Sequence, residues 1–316
     1  MSNKNSEKPE IVSSFREFFG NNIALAPVDV WSKSRKVMQP YFTNKQRYKI
    51  ITQLINQYVD DLEKHVDGPQ VNLAESLRSL FFSIITKSFP FRYLATLIQD
   101  DKNQGRDDLA FSNALVTIAA GDDTTSATTV FFLLTMAMFP EIQDKLYEEI
   151  YDLCGDDREP EISDIQKLPY LDQVLKEIQR RFTTLPIIFR KITEDAKIND
   201  VIYPAGTALL LSLANVHLDP ALYPNPYQFN PDNFSPENVA NRPKGSFVPF
   251  SAGPRNCIGM QIALVVMKQF IVSSLRSFSF HTTLKMEDID LKIGFVSHNK
   301  SGCPVSLRKR KKNRLL

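Results

Sequence analysis

The chain has 316 residues, 43% of them hydrophobic and 23% charged, an ordinary globular balance with enough apolar material for a substantial core. A net charge of +2 excludes a surface built for nucleic acid or another strongly charged partner. Three cysteines, Cys154, Cys257 and Cys303, are too few and too widely spaced for a disulfide framework or a zinc site, and they suit a reducing, cytosol-facing environment.

The segment Met1 to Glu10 is polar and reads as neither signal peptide nor membrane anchor. The longest apolar run, Ala127 to Phe139, is interrupted by threonines and too short for a bilayer. The sequence as given therefore predicts no membrane crossing. The basic run Arg308 to Arg314 reads as a solvated terminus, with a membrane-surface or nuclear-import role as the other uses of such charge.

Taken in order, Ile11 to Phe19 and Val30 to Met38 are short helix candidates. Asn44 to His65 carries Ile50, Ile51, Leu54, Ile55, Tyr58 and Leu62 at a helical period. Asn72 is placed to cap a helix reaching Phe89, where Pro90 stops it. Asp107 to Met138 is one long apolar helix, and Pro140 suits the first turn of the next, Glu141 to Leu153. Ser163 is expected to cap a short turn before an amphipathic helix from Tyr170 to Phe182. Ala196 to Ser212 then reads as paired strands around turns at Asn199-Asp200 and Pro204-Ala205-Gly206. His217 to Pro249 is a long proline-rich stretch, and a loop of that length is usually functional. An apolar helix from Gly259 to Ser277 follows. Lys292 to Ser297 and Pro304 to Arg308 are expected to pair as a last hairpin.

The sharpest signal is Phe250-Ser251-Ala252-Gly253-Pro254-Arg255-Asn256-Cys257-Ile258-Gly259. Its cysteine sits at the start of an apolar helix, where free amides and the helix dipole favour a thiolate. Gly253 and Gly259 let the backbone approach something flat and wide. Phe250 can shield the sulfur, and Arg255 puts a cation nearby, suited to a carboxylate. A lone cysteine before a helix is usually structural. This combination is far more demanding, whereas Cys154 and Cys303 have no such setting.

That loop resembles the haem-binding loop of the cytochrome P-450 family, and the chain is identified as a member along nearly its whole length. The resemblance implies a mainly α fold with small β-sheets in one domain spanning 1–316. It implies haem b with Cys257 as axial thiolate ligand, a setting that favours O–O cleavage. Glu177 and Arg180, three apart on one helix, resemble the family's glutamate-x-x-arginine pair, which locks the proline-rich meander. Trp31 and Arg35 resemble its tryptophan-x-x-x-arginine motif. With Arg190 and Arg255 they are expected to hold the haem propionates, and Phe250 and Gly259 to line the cofactor.

Ala120-Gly121-Asp122-Asp123-Thr124-Thr125, mid-helix, resembles the family's oxygen-activation segment. Threonines there compete for backbone carbonyls and a glycine loosens the turn, so a local widening that holds a water is expected. By the same match Thr124 hydrogen-bonds the oxygen being activated and Asp123 supports proton delivery. Ala119, Ala120, Leu185, Ile187 and Ile188 are candidate pocket walls. The four histidines form no metal spacing and read as surface or internally satisfied residues. No phosphate loop or dinucleotide fingerprint occurs, so electrons are expected from a separate NADPH-cytochrome reductase.

The Phe247 to Gly259 segment, with Thr193-Glu194-Asp195 and Tyr223-Pro224-Asn225-Pro226, looks most like the branch of fatty-acid ω-hydroxylases and their insect family-four relatives. Ala120 stands where many of that branch carry a haem-esterifying glutamate, so the haem is expected to be non-covalent. Asn233 stands where the family usually has arginine. Relative to the family, the chain opens shortly before Trp31, and only about 90 residues separate Trp31 from Gly121. A missing anchor, amino-terminal sheet and pair of roof helices are therefore expected, with an internal deletion near 89–93 and Tyr93 to Ile98 leading into the long helix.

The leading reading is a monooxygenase that inserts one atom of O2 into a lipophilic substrate. The alternative is a non-catalytic haem binder or degenerate fragment. A cofactor-free helical interaction protein leaves the cysteine loop unexplained. Family habit places such an enzyme on the cytosolic face of the endoplasmic reticulum, with peripheral membrane contact; the lack of an anchor in the sequence leaves the cytosol as the other expectation.

Overall fold

The computed structural model describes residues 7–89, 99, 109–155 and 158–310. Its helices are α1 (Ser13–Phe19), α2 (Val28–Thr43), α3 (Tyr48–Asp61), α4 (Ala74–Ser88), α5 (Leu109–Met138), α6 (Pro140–Cys154), α7 (Ile162–Ile165), α8 (Pro169–Arg181), α9 (Leu213–His217), α10 (Pro236–Ala240) and α11 (Met260–Ser277). Prolines open α6 and α8 at the one position where a missing N–H is harmless. The Asn72 side chain accepts from Ala74 N at 3.2 Å, but the cap position of α4 is Leu73, one residue later than expected.

The strands are short: β1 (Val71–Asn72), β2 (Ile187–Lys191), β3 (Ala196–Ile198), β4 (Val201–Tyr203), β5 (Ala208–Ser212), β6 (Phe278–His281), β7 (Leu291–Lys292), β8 (His298–Asn299) and β9 (Pro304–Lys309). They form one three-stranded sheet, β1-β9-β6, and the pairs β2-β5, β3-β4 and β7-β8, all antiparallel. The mainly helical fold with small sheets is the one expected.

The core is built on α5 and α11. Phe131 of α5 stacks on Phe182 at 4.5 Å and 4°, and both rings are buried. α11 packs against α3, α6 and α7, and Phe270 is wholly enclosed. The buried Gln143 amide donates to Met136 O and Phe280 O, each at 2.9 Å, and accepts from Phe280 N at 2.8 Å. It ties α6 to α5 and to the sheet without leaving a polar atom orphaned.

Several local expectations are corrected. Helix α2 runs on to Thr43 through Pro40, because Met38 and Phe42 share a buried face. The cap of α7 is Glu161, in a capping box with Asp164, and not Ser163. The strand at 208–212 pairs with the unforeseen strand β2 and not with β4. The last hairpin is also different. Pro304–Lys309 pairs with β6 and β1, while residues 291–292 pair with 298–299. Short alternating runs fix strand character, but the partner is chosen by tertiary packing. The expected deletion point beyond Phe89, the run Tyr93 to Ile98, the helix start at Asp107 and the tail beyond Arg310 lie outside the described residues. No single helix among the described residues is long and apolar enough to cross a membrane; α5 and α6 pass by length and composition only together, across a 108° bend.

Candidate cofactor site

Cys257 closes a tight loop just before α11. Its N–H donates to Phe250 O at 3.0 Å, and Asn256 N donates to Gly253 O at 3.1 Å. Gly253 adopts φ +77°, a left-handed conformation that favours glycine, and Ser251 is left-handed as well at +61°. The Cys257 side chain is accessible by area, yet the protein crowded around its sulfur raises the thiol above its ordinary pKa. The residue's surface is open while the surrounding protein limits the sulfur's access to bulk water. Opposing burial are the Gly259 amide, the Arg35 guanidinium and the Met260 amide. The stabilisers of a thiolate foreseen at the helix start are present, but in the polypeptide burial outweighs them.

Gly259 caps α11. A Cβ there would lie 3.8 Å from Cys257 Sγ and 3.7 Å from the Phe42 ring. That is ordinary contact within the polypeptide, but the methyl would fill the space beside the sulfur. Phe250 is half-buried against the core, behind the loop. A cavity of about 650 Å³ lies between this loop, α8 and α11, lined by residues 247–251, Met260 and Leu264. Neither Cys257 nor Thr124 lines it.

All four expected propionate-binding residues lie on or against the loop through direct contacts. The Arg255 guanidinium lies 4.5 Å over the Trp31 ring and donates to Ala26 O at 2.8 Å. Arg190, on β2 and buried, donates to Phe189 O at 2.8 Å and to Ser251 Oγ at 3.4 Å. Arg35 is already engaged. It donates to Asn256 O at 2.7 Å, Asn256 Oδ1 at 3.0 Å and Gln39 Oε1 at 2.9 Å. Burial depresses the pKa of Arg35, Arg190 and Arg255, the last to about 10.

Asp123 and Thr124 make their contacts elsewhere. Helix α5 is unbroken α-helix through this segment, so the expected widening is absent. The Thr124 hydroxyl bonds back to Ala120 O at 2.7 Å, and an added Cβ at Gly121 would fall 2.8 Å from Ile85 Cδ1. Glycine here admits α4 and does not loosen the turn. Asp123 lies 3.8 Å from Arg78 Nη2 and 3.3 Å from His298 Nε2. The buried Asp122 meets Arg78 Nε at 3.3 Å, and burial raises its carboxyl pKa despite that cation. Ala119, Ala120 and Ile187 are exposed, Leu185 is half-buried and Ile188 is buried.

Glu177 and Arg180 form a fully buried bidentate pair, both bonds at 2.7 Å. Arg180 also donates to His217 O, Pro226 O and Gln228 O. Glu177 accepts from Asn230 N at 3.0 Å and from Asn233 Nδ2 at 3.2 and 3.3 Å. Asn233 thus reaches Glu177 without bringing a charge. A cation comes instead from Arg242, which donates to Asn233 O at 2.7 Å and lies 4.1 Å over the Tyr223 ring.

Sequence reasoning missed Lys8, Arg16, Arg78, His298 and Arg242 as neighbours of these groups. Lys8, Arg16, Arg78 and His298 lie far along the chain from those groups and Arg242 lies nine residues from Asn233, and nothing in the local sequence signals any of these contacts. Asn256 was legible as part of the loop but not as the group that captures Arg35.

The residues fit haem. Arg255 buries Nε and Nη1 without a hydrogen-bond partner among the described residues. Lys8, Arg16, Arg190 and Arg255 repel one another, and Glu7 is the carboxylate that acts on Arg255. An edge carrying two carboxylates suits this cluster, and a sulfur facing two amides suits a metal ligand.

Comparison with known proteins agrees. The family model described as Cytochrome P450 matches residues 90–303. Relatives include "Cytochrome P450 4c21" of Blattella germanica, 31% identical over 265 residues, which cover 83% of this chain and 52% of that protein. "Probable cytochrome P450 4ac1" and "Cytochrome P450 4g1" of Drosophila melanogaster are 36% and 37% identical, each over about 60% of this chain and 38% and 35% of their own lengths. The chain therefore belongs to the cytochrome P450 family, on the branch numbered four in these relatives. It spans about half the length of the curated relatives it matches, or less.

Proposed function

We propose that the protein is a haem-thiolate monooxygenase acting on a lipophilic substrate. The observation that carries this is the Cys257 sulfur at the start of α11, facing the Gly259 and Met260 amides and Arg35. Bound haem b would supply the redox centre at which O2 is reduced and one oxygen atom transferred. The protein's part is to bind, orient and deliver protons. Cys257 would hold the haem iron through its sulfur, and the two amides and Arg35 would favour negative charge there. Arg190 and Arg255 neutralise the anionic edge, with Trp31 stacking under Arg255. Exposed Ala119 and Ala120 leave room along α5. Thr124 is oriented by its bond to Ala120 O, and Asp123, held between Arg78 and His298, is the proton donor that serves it.

Ala120 offers no carboxylate for an ester bond, so the haem is held non-covalently. Electrons come from a separate NADPH-dependent reductase. Fatty acids are the substrate class expected from the branch, and the cytosolic face of the endoplasmic reticulum the expected location.

The deciding experiment is the absorption spectrum of the reduced protein under carbon monoxide. A red-shifted Soret band characteristic of thiolate ligation, lost in Cys257→Ala, supports the reading; an unchanged spectrum in that variant overturns it. Turnover with a reductase then separates an enzyme from a haem binder without activity.

A further inference from the structure

The segment before α1 lies against the cation cluster. Lys191 N donates to Glu7 O at 3.0 Å, Lys191 Nζ pairs with Glu10, and Glu7 Oε2 accepts from Val28 N at 3.0 Å. Further on, Ile23 N donates to Asn113 Oδ1 at 2.7 Å, and the Arg16 guanidinium donates to Leu25 O at 2.9 Å. The segment is thus pinned to β2, to α2 and to the start of α5. Between these pins Lys8 is directed at Phe189 O, at 3.5 Å. That is a long contact for an ammonium group with three protons to place. Its electrostatic neighbours are Arg190, Arg255 and Arg16, all cations. Glu7 and Glu10 are the nearby carboxylates, and both are occupied as described.

A lysine brought among three arginines is unfavourable unless an anion joins them. The same cluster contains the two unpartnered nitrogens of Arg255. We propose that Lys8 is a further haem-binding residue, donating from the amino-terminal segment to the propionate carboxylates gathered by Arg190 and Arg255. Haem and this segment then hold each other: the cofactor supplies the missing negative charge, and the segment closes over its edge. Burial, then the three arginines, lowers the Lys8 pKa to about 7, a state that a bound carboxylate reverses. The inference rests on the haem-thiolate reading and adds a residue that reading does not include.

The test is the rate of haem transfer to excess apomyoglobin, with limited trypsin cleavage at Arg16 as a second readout. Lys8→Met is expected to lose haem about tenfold faster than wild type, with Lys8→Arg close to wild type. Haem is expected to protect Arg16 from trypsin in wild type but not in Lys8→Met. Haem dimethyl ester, whose propionates carry no charge, is expected to leave both proteins at the same rate. Equal haem loss by wild type and Lys8→Met, with a normal thiolate band in both, overturns this inference alone. A Lys8→Met defect that persists with the dimethyl ester also overturns it. A chain that forms no thiolate band overturns both this inference and the reading beneath it.

Discussion

Arg35 grips Asn256, the residue before the cysteine, by both its carbonyl and its side-chain oxygen, at 2.7 and 3.0 Å. The motif that led to Arg35 assigns it to the cofactor's carboxylates. In the structure its fork braces the loop that presents the sulfur, and its charge also lowers the thiol's pKa. Helix α2 and the cysteine loop, 221 residues apart, are thereby fixed to each other.

Bracing and charge can be separated. Arg35→Ala removes both, whereas Arg35→Lys keeps the charge and loses the planar fork. Charge-assisted hydrogen bonds contribute roughly 1.5–3 kcal/mol, so haem release is expected to quicken by about ten- to a hundredfold in Arg35→Ala. If bracing dominates, Arg35→Lys falls near the alanine variant. Release at the wild-type rate in Arg35→Lys would show that only the charge matters.

The Glu177–Arg180 pair has no exposure to water, so breaking it strands a charge. Glu177→Ala is expected to destabilise the fold by about 3–5 kcal/mol. Asn233→Ala removes only two longer bonds from a neutral donor to the Glu177 carboxylate and is expected to cost less, about 1.5–3 kcal/mol. Denaturant melts of the two variants check the ranking, and equal losses would contradict it.

His217 gives the meander a pH dependence. Its Nδ1 meets Thr183 Oγ1 at 2.8 Å, and its Nε2 accepts from Val248 N at 2.9 Å, so the ring is held neutral. Burial first, then Arg180, lowers its pKa to about 4. In the unfolded chain the ring protonates near the ordinary value of about 6.5. As pH falls from about 6.5 toward 4 the unfolded state takes up a proton that the native state refuses, so stability declines over that window. Below about 4 both states carry the proton and this loss levels off. The whole effect is on the order of 3 kcal/mol. Urea midpoints at pH 7 and pH 5 should separate more in wild type than in His217→Gln. An equal pH response in both would remove His217 from the account.

The cysteine loop, the Glu177–Arg180 pair and the long helix were legible because each depends on close spacing: a turn, three residues along a helix, or an uninterrupted apolar run. The strand partners of 208–212 and 304–309 were not, since neither the short apolar run at 208–211 nor the alternating run at 304–309 names an edge, and packing of β2, β1 and β6 against the helices decides between them. The role of Gly121 was misread for a related reason. A glycine inside a helix is equally compatible with a loosened turn and with a close neighbour, and only Ile85 reveals which. Lys8 and His298 carried no local signal, because their importance comes from charges that the fold brings to them.

Asp123 provides the last test. Its carboxyl is a third as exposed as a free side chain or less, and it is held by Arg78 and His298 from two other elements, α4 and β8. A proton donor must be recharged from solvent, and the His298 ring, 38% exposed, lies on a route from water to Asp123. Asp123→Asn removes the acid and is expected to slow oxygen insertion about a hundredfold or more while haem loading stays normal. His298→Gln keeps a hydrogen-bond partner for Asp123 but removes an imidazole that can relay a proton through its two nitrogens, so a smaller loss, within about tenfold, is expected. Measuring product formed per reductant consumed checks both. An Asp123→Asn protein as productive as wild type would exclude this carboxyl as the proton source.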